Sequence, residues 1–269
     1  MLELLAGTSR VVLDEVHGGR VERLVVAGRD LLVPPDVDDH NYGAFPMAPW
    51  AGRVRHGQFS FEGVEHRVSC NDPPHAIHGI ARDRRWRVDE STGSSARLSV
   101  RLDAPWPLGG QVVQRFDLAP ARLRLTMEVH AADRPMPATC GWHPWWYRTP
   151  PHAPSAVELE LHADAMYALD DEGIPTGELV PVRAPPWDDC FTRLGSPAAV
   201  LRWPGATAVT VETDCPCLVV FTEPEHALCV EPQSAPPDAF NLGRAAVLAP
   251  GEPLVVHAAF RWTVDAPAG

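Results

Sequence analysis

The sequence predicts an all-β protein, a large antiparallel β-sandwich forming a single domain over residues 1–269. Three observations carry that expectation. Apolar and polar residues alternate in short runs along the whole chain, and turn signals separate the runs. The 29 prolines leave no window of a dozen residues with helical spacing. Strands of this kind each bury one face, and two sheets packed face to face satisfy the pattern. No change in composition marks a linker between domains.

Taken in order, Val11-Val12-Leu13 and Val21 to Val26 read as strands joined by a turn at His17-Gly18-Gly19. Asp36 to His40 is a polar loop, and Gly43 to Arg53 is too rich in Pro and Gly to be expected in regular structure. Phe59, Phe61, Val64 and Val68 fall in two runs about Glu62-Gly63, a hairpin. Asn71 to Gly79 is a further loop, and Trp86 and Val88 open the next strand. Leu98, Val100 and Leu102 alternate with charged and polar neighbours. Arg122 to His130 is the clearest strand, with Leu123, Leu125, Met127 and Val129 on one face. Val157 to Leu161, Val209 and Val211, Cys217 to Phe221 and Leu254 to Phe260 extend the pattern to the end.

Composition excludes several classes of function. A net charge of -12 opposes nucleic acid, which needs a basic face, and equally an anionic membrane surface. All 23 basic residues are arginine, so neither Schiff-base chemistry nor a P-loop lysine is available. No signal peptide and no membrane-spanning run is expected, which points to a cytoplasmic protein. The six cysteines lack a C-x-x-C pair and read as reduced, largely buried thiols. A small neutral or weakly charged molecule is the compatible partner, and a monomer or homodimer the expected state.

Leu228 and Val230 alternate with Cys229 and Glu231, so Glu231 points away from the apolar face as its strand meets a Pro-rich loop. It fits a surface glutamate or a general base in a sugar cleft. His143 lies among Trp142, Trp145, Trp146 and Tyr147, either as a core histidine or facing a platform for a sugar's C–H face. His75 and His78 are three apart, but Pro73, Pro74 and Gly79 oppose the helix that a two-histidine metal site would use. No metal is expected, and hydrogen bonding by His78 to a substrate hydroxyl is the better functional reading. Asp188 and Asp189 divide between a loop cap and a hydroxyl ligand, and Arg53 between a salt bridge and a ligand.

Five segments in this order resemble the aldose 1-epimerase (mutarotase) family, in particular its shorter bacterial members. They are Phe45-Pro46-Met47-Ala48-Pro49-Trp50-Ala51-Gly52-Arg53, His75-Ala76-Ile77-His78-Gly79, Gly141-Trp142-His143-Pro144, Trp187-Asp188-Asp189-Cys190-Phe191 and Cys229-Val230-Glu231-Pro232-Gln233. The resemblance implies a β-supersandwich of the galactose mutarotase-like kind, with an open cleft on one sheet and no cofactor. It implies an isomerase with Glu231 as general base and His143 as general acid. His78, Arg53 and Asp188 or Asp189, Asp188 matching better, would then contact an aldose, and Trp145 is expected to contact it as an indole platform beside His143. The chain departs from larger members at Gly52, where they carry an asparagine, and at Trp145 and Trp146 after the histidine.

Anomer interconversion removes a proton from the C1 hydroxyl and gives one to the ring oxygen. A glutamate of pKa ~4.3 and a histidine of ~6.5 supply a base and an acid at neutral pH, expected on opposite sides of the anomeric centre. Three alternatives remain at this stage. Glu231 and Asp188 can be read as the carboxylate pair of a glycoside hydrolase. The fold can serve as a non-catalytic sugar-binding protein. Arg82, Arg84 and Arg85 can bind the phosphate of a hexose 6-phosphate, or decorate a solvated strand edge.

Overall fold

The computed structural model describes residues 1–151 and 153–265. Apart from two single-turn 3-10 segments, Arg55–Gly57 and Ala81–Asp83, its regular elements are strands, and every pairing between named strands is antiparallel. The strands Arg122–His130 and Cys217–Phe221 form over the ranges their alternation predicts. So do the two hairpins, Ser9–Asp14 with Arg20–Val26 and Gln58–Phe61 with Val64–Arg67. Glu62 and Gly63 both take positive φ, 50° and 77°, which suits the twist of a two-residue hairpin turn.

One expectation is corrected. Within the Pro- and Gly-rich stretch from Gly43 to Arg53, Ala44–Met47 is a strand that pairs with Gly141–Tyr147. It tolerates Pro46 because its other neighbour, Arg20–Val26, pairs with it only at Ala44. The missing amide donor is therefore not required by a second strand.

Pairing runs unbroken through the molecule. It passes from Leu2–Ala6 through Ser9–Asp14, Arg20–Val26, Ala44–Met47, Gly141–Tyr147, Ala227–Gln233 and Cys217–Phe221 to Asp188–Trp203. It then continues through Thr207–Thr213, Leu254–Val264, Arg122–His130 and Gln111–Ala119 to Ser95–Arg101 and Arg87–Ser91. The 16-residue strand Asp188–Trp203 joins the two halves. Its residues 188–192 pair with Cys217–Phe221 and its residues 199–203 with Thr207–Thr213.

The two halves share one core. Trp142, Trp146, Leu228 and Val230 from the first pack in the same buried cluster as Leu123, Leu125, Met127 and Phe260 from the second. Trp146 meets Phe260 edge to face with centroids 4.9 Å apart. A polar bridge crosses the same interior. Gln114, 1% exposed, accepts from Trp142 Nε1 at 2.9 Å and donates to the Gly19 carbonyl at 2.9 Å. Five cysteines are buried, Cys70 is exposed, and all six are free thiols. Among the described residues no helix is long and apolar enough to cross a membrane.

Replacing Gln114 by Leu keeps the volume but leaves the Trp142 N–H and the Gly19 carbonyl unpaired in the core. Each such group costs about 1–3 kcal/mol. The substitution is therefore expected to lower unfolding free energy by roughly 2–4 kcal/mol in urea titrations. A loss under ~0.5 kcal/mol would mean that the bridge carries no weight.

Candidate active site

Sheet register builds a row of side chains across five strands. Phe45 stands opposite His143, Val219 opposite Glu231, and Cys190 opposite Val219. The pairs Gly141↔Gln233 and Trp145↔Cys229 bring His143 level with Glu231 between them. Because alternate residues of a strand share a face, Trp142 and Trp146 enter the core while His143 and Trp145 face outward. Leu228 and Val230 likewise enter the core, leaving Cys229 and Glu231 on the outer side.

This face floors a cleft of ≈ 410 Å³. All seven residues singled out from the sequence line it: Arg53, His78, His143, Trp145, Asp188, Asp189 and Glu231. His143 Nε2 lies 3.2 Å from Glu231 Oε1, with side chains 6% and 2% exposed. The imidazole is stacked between Phe45 and Trp145, with centroids 4.7 and 4.9 Å away, and His78 meets it edge-on at 5.0 Å. Gln233, two residues beyond Glu231 on the same face, donates from Nε2 to Glu231 Oε2 at 3.1 Å.

His78 arrives from the loop above the sheet with φ of 62°, in the left-handed region that β-carbon sterics disfavour. A Cβ at Gly79 would lie 2.0 Å from the Ala48 carbonyl oxygen, so the chain passes here only as glycine. Backbone strain of this sort gathers at functional sites. Arg53 reaches both Asp72 and Asp188 at 3.5 Å. The two aspartates part company: Asp188 is open to the cleft, whereas Asp189 is buried and takes Arg183 Nη2 at 2.6 Å. Gly52 cannot be an asparagine without rearrangement, since a Cβ there would fall 2.6 Å from Pro237 Cγ and the residue has φ of 67°.

Burial sets the electrostatics. It pushes the Glu231 carboxyl well above the usual carboxylate range, with the Asp188 charge adding to the rise. It pushes the His143 imidazole well below its usual range, helped by Arg82. His78 is lowered for the same reason, with His143 and Arg82 contributing. Glu231 and His143, expected on opposite sides of the anomeric centre, are in direct contact. They touch, and the site favours neither charge. Attraction across 3.2 Å favours opposite charges and burial favours neutrality, but both arrangements carry one proton between the two groups.

Five buried polar atoms of residues that line the cleft have no hydrogen-bond partner among the described residues: His78 Nδ1, Arg82 Nε, His143 Nδ1, Trp145 Nε1 and Gln233 Oε1. Orphans of this kind are rare in folded proteins, and their gathering here describes a surface shaped for a polar ligand. Arg82 and Gln233 lie outside the residues the sequence marked as sugar contacts, although the two-residue spacing from Glu231 to Gln233 was a usable signal. Of Arg82, Arg84 and Arg85, only Arg82 lines the cleft. Among the described residues one group can hold a metal, His143, Cys229 and Glu231, whose donor atoms lie within 4.8 Å of one another. His75 and His78 do not combine: His75 Nδ1 accepts from the His56 amide at 3.2 Å, away from the cleft.

The sequence model of the family described as aldose 1-epimerase matches residues 8–261. The uncharacterised protein YihR of Escherichia coli K12 is 24% identical over 274 residues, covering 90% of this chain and 86% of that one. Galactose mutarotase of Sus scrofa is 26% identical over 156 residues, 55% of this chain and 45% of the pig protein. A galactose mutarotase-like protein from Clostridium acetobutylicum superposes with a TM-score of 0.83 at 16% identity, over 98% of this chain and 95% of the other.

The raised Glu231 pKa has a consequence for stability. A group whose pKa is higher folded than unfolded loses its contribution as pH rises from its unfolded value, here 4.5, toward its folded one. Glu231→Gln removes that loss. Its stability relative to the parent is expected to grow as pH rises above 4.5 in urea titrations. A pH-independent difference would contradict the burial argument.

Proposed function

Because the chain belongs to the aldose 1-epimerase family, we propose that it is an isomerase interconverting the α and β anomers of an aldohexose, such as glucose or galactose. The observation that carries this reading is the His143–Glu231 contact at 3.2 Å on the floor of an open cleft. The two oxygens that exchange protons in the reaction, the C1 hydroxyl and the ring oxygen, are bonded to the same carbon. A base and an acid that touch can therefore serve both at once.

Glu231 takes the proton of the C1 hydroxyl while His143 delivers one to the ring oxygen. The bond between C1 and the ring oxygen breaks, and C1 becomes an aldehyde carbon. After rotation about C1–C2 the C5 hydroxyl attacks the other face of that carbon. His143 now removes the proton from the attacking hydroxyl and Glu231 returns one to the new C1 oxygen. The pair ends each half-cycle holding the single proton it began with, so opening and closing use the same two groups with roles exchanged. Trp145 offers an indole face to the ring's C–H groups, while Arg53, Asp188 and His78 hold hydroxyls. Asp189, engaged by Arg183, supports the cleft wall more than it contacts sugar.

The glycoside hydrolase alternative has less support. It needs Glu231 and Asp188 as a working carboxylate pair, yet Glu231 is engaged by His143 and Gln233 and Asp188 stands against Arg53.

Glu231→Gln and His143→Asn are each expected to lower turnover at least about a hundredfold. Polarimetry on freshly dissolved α-glucose and α-galactose reads the effect. Rates near those of the parent in both variants would remove the assignment.

A further inference from the structure

Glu231 and His143 stand on seven-residue strands of the large sheet, but Arg53 does not. It lies on a ribbon of two residues, Arg53–Val54 against Ala76–Ile77, that is separate from that sheet. So short a pairing is marginal by itself. A further tie is needed to fix the guanidinium relative to the acid–base pair.

Asp238 supplies one. The chain leaves the Glu231 strand at Gln233 and turns at Asp238, where φ is 60°. From there the residue grips the backbone on both sides of Val54. Its amide donates to the Arg53 carbonyl at 2.6 Å, and its Oδ1 accepts from the Arg55 amide at 2.9 Å. Asn241 orients the carboxylate, donating from Nδ2 to the same Oδ1 at 2.7 Å and to the Gln58 carbonyl at 3.0 Å. Pro237, the preceding residue, lies against Gly52 and lines the cleft.

Asp238 is 3% exposed. A carboxylate is costly to bury, so one kept inside a turn points to a task that an apolar side chain could not perform. Its hydrogen bond to the Arg55 amide is that task. The Arg55 guanidinium is a lesser partner: Nε is 3.9 Å from Asp238 Oδ2, beyond hydrogen-bond reach. That guanidinium pairs instead with Asp170 and Glu172, in the turn between Glu158–Leu169 and Pro175–Val180.

We propose that Asp238 is a positioning residue, which fastens the backbone of Arg53 to the exit of the Glu231 strand and so sets the guanidinium at a fixed place above the His143–Glu231 pair. The inference rests on the reading of Arg53 as a hydroxyl contact in an anomerase cleft. His143 and Glu231 keep their own support in the sheet. Loss of the clasp therefore falls on the holding of the sugar before it falls on proton transfer.

The test is a double-mutant cycle with Arg53→Ala. Glycine and asparagine both tolerate the positive φ, so Asp238→Gly removes the carboxylate without backbone strain and Asp238→Asn keeps an acceptor oxygen. By polarimetry on glucose and galactose, Asp238→Gly is expected to raise KM at least about tenfold, with kcat changed less than ~threefold. Asp238→Asn is expected to stay within ~threefold of the parent in both. Arg53→Ala is expected to raise KM at least about tenfold, and adding Asp238→Gly to it to cost less than ~threefold more. Calorimetric binding of the same sugars to the Glu231→Gln protein, which needs no turnover, is expected to repeat the pattern in Kd. Asn241→Ala, at an exposed position, loosens the same carboxylate and is expected to raise KM about threefold, an effect lost in the Arg53→Ala background. It serves where Asp238→Gly does not fold. Losses that multiply in the double variants would mean that Asp238 acts through the fold at large and would overturn the proposal. So would parent-like values for Asp238→Gly or Arg53→Ala, or an Asp238→Asn protein as impaired as Asp238→Gly. A non-additive cycle in binding without any anomer exchange would instead sink the anomerase reading and leave the clasp standing.

Discussion

Two ionisable side chains, His143 and Glu231, are held in contact at 3.2 Å where the surroundings support the charge of neither. Most of what surrounds the cleft follows from that constraint. Water would stabilise both charges and detach the groups from one another. A dry site with no proton between them would hold a bare carboxylate at great cost. The arrangement that satisfies both limits is a touching pair with one proton, stacked between Phe45 and Trp145 and steadied by Gln233. A proton free to rest on either partner is also what a reversible acid–base reaction needs.

The sandwich holds this pair through the two-residue period of its strands. In Gly141–Tyr147 and Ala227–Gln233, one set of alternate residues fills the core and the other floors the cleft. A slip of one residue would put Trp142 and Trp146 outside and bury His143 and Trp145 between the layers, so core packing fixes the register of the site. Gly141 shows how close the two strands come: a Cβ there would lie 2.2 Å from the Pro232 carbonyl oxygen. The long strand Asp188–Trp203 adds Asp188 and Asp189 at the cleft while its far end pairs in the second half of the molecule. Cleft and core are therefore two faces of the same strands.

The fold class was legible because alternation in Arg122–His130 or Cys217–Phe221 is a local property that burial of one face enforces. The strand Ala44–Met47 was not, because local propensity disfavours Pro46 and only the neighbouring strand reveals that its amide is not needed. The residues of the site could be picked out since each belonged to a recognisable segment, and all seven reach one cleft. Their mutual geometry could not. Nothing in the chain states that positions 143 and 231 pair side by side, because that depends on a register between strands more than eighty residues apart. The burial of the pair was hidden for the same reason, since reference pKa values describe groups in water and both side chains are nearly sealed from it. Arg82 looked like one of three arginines on a strand edge until the structure separated it from Arg84 and Arg85.

The unpaired atoms of the cleft also decide what kind of molecule belongs there. An apolar ligand would cover Trp145 and Phe45 but leave His78 Nδ1, Trp145 Nε1 and Gln233 Oε1 without partners, at about 1–3 kcal/mol each. A metal at His143, Cys229 and Glu231 would need the Cys229 thiolate, which burial disfavours, and would displace the proton that the pair shares. A polyhydroxylated ring meets the site on better terms. Its C–H face lies on an indole, and its hydroxyls both donate and accept, so one ligand type satisfies histidine nitrogens, an amide oxygen and carboxylates together. The core beneath the cleft holds these hydrogen-bonding groups and the left-handed backbone at His78 in place.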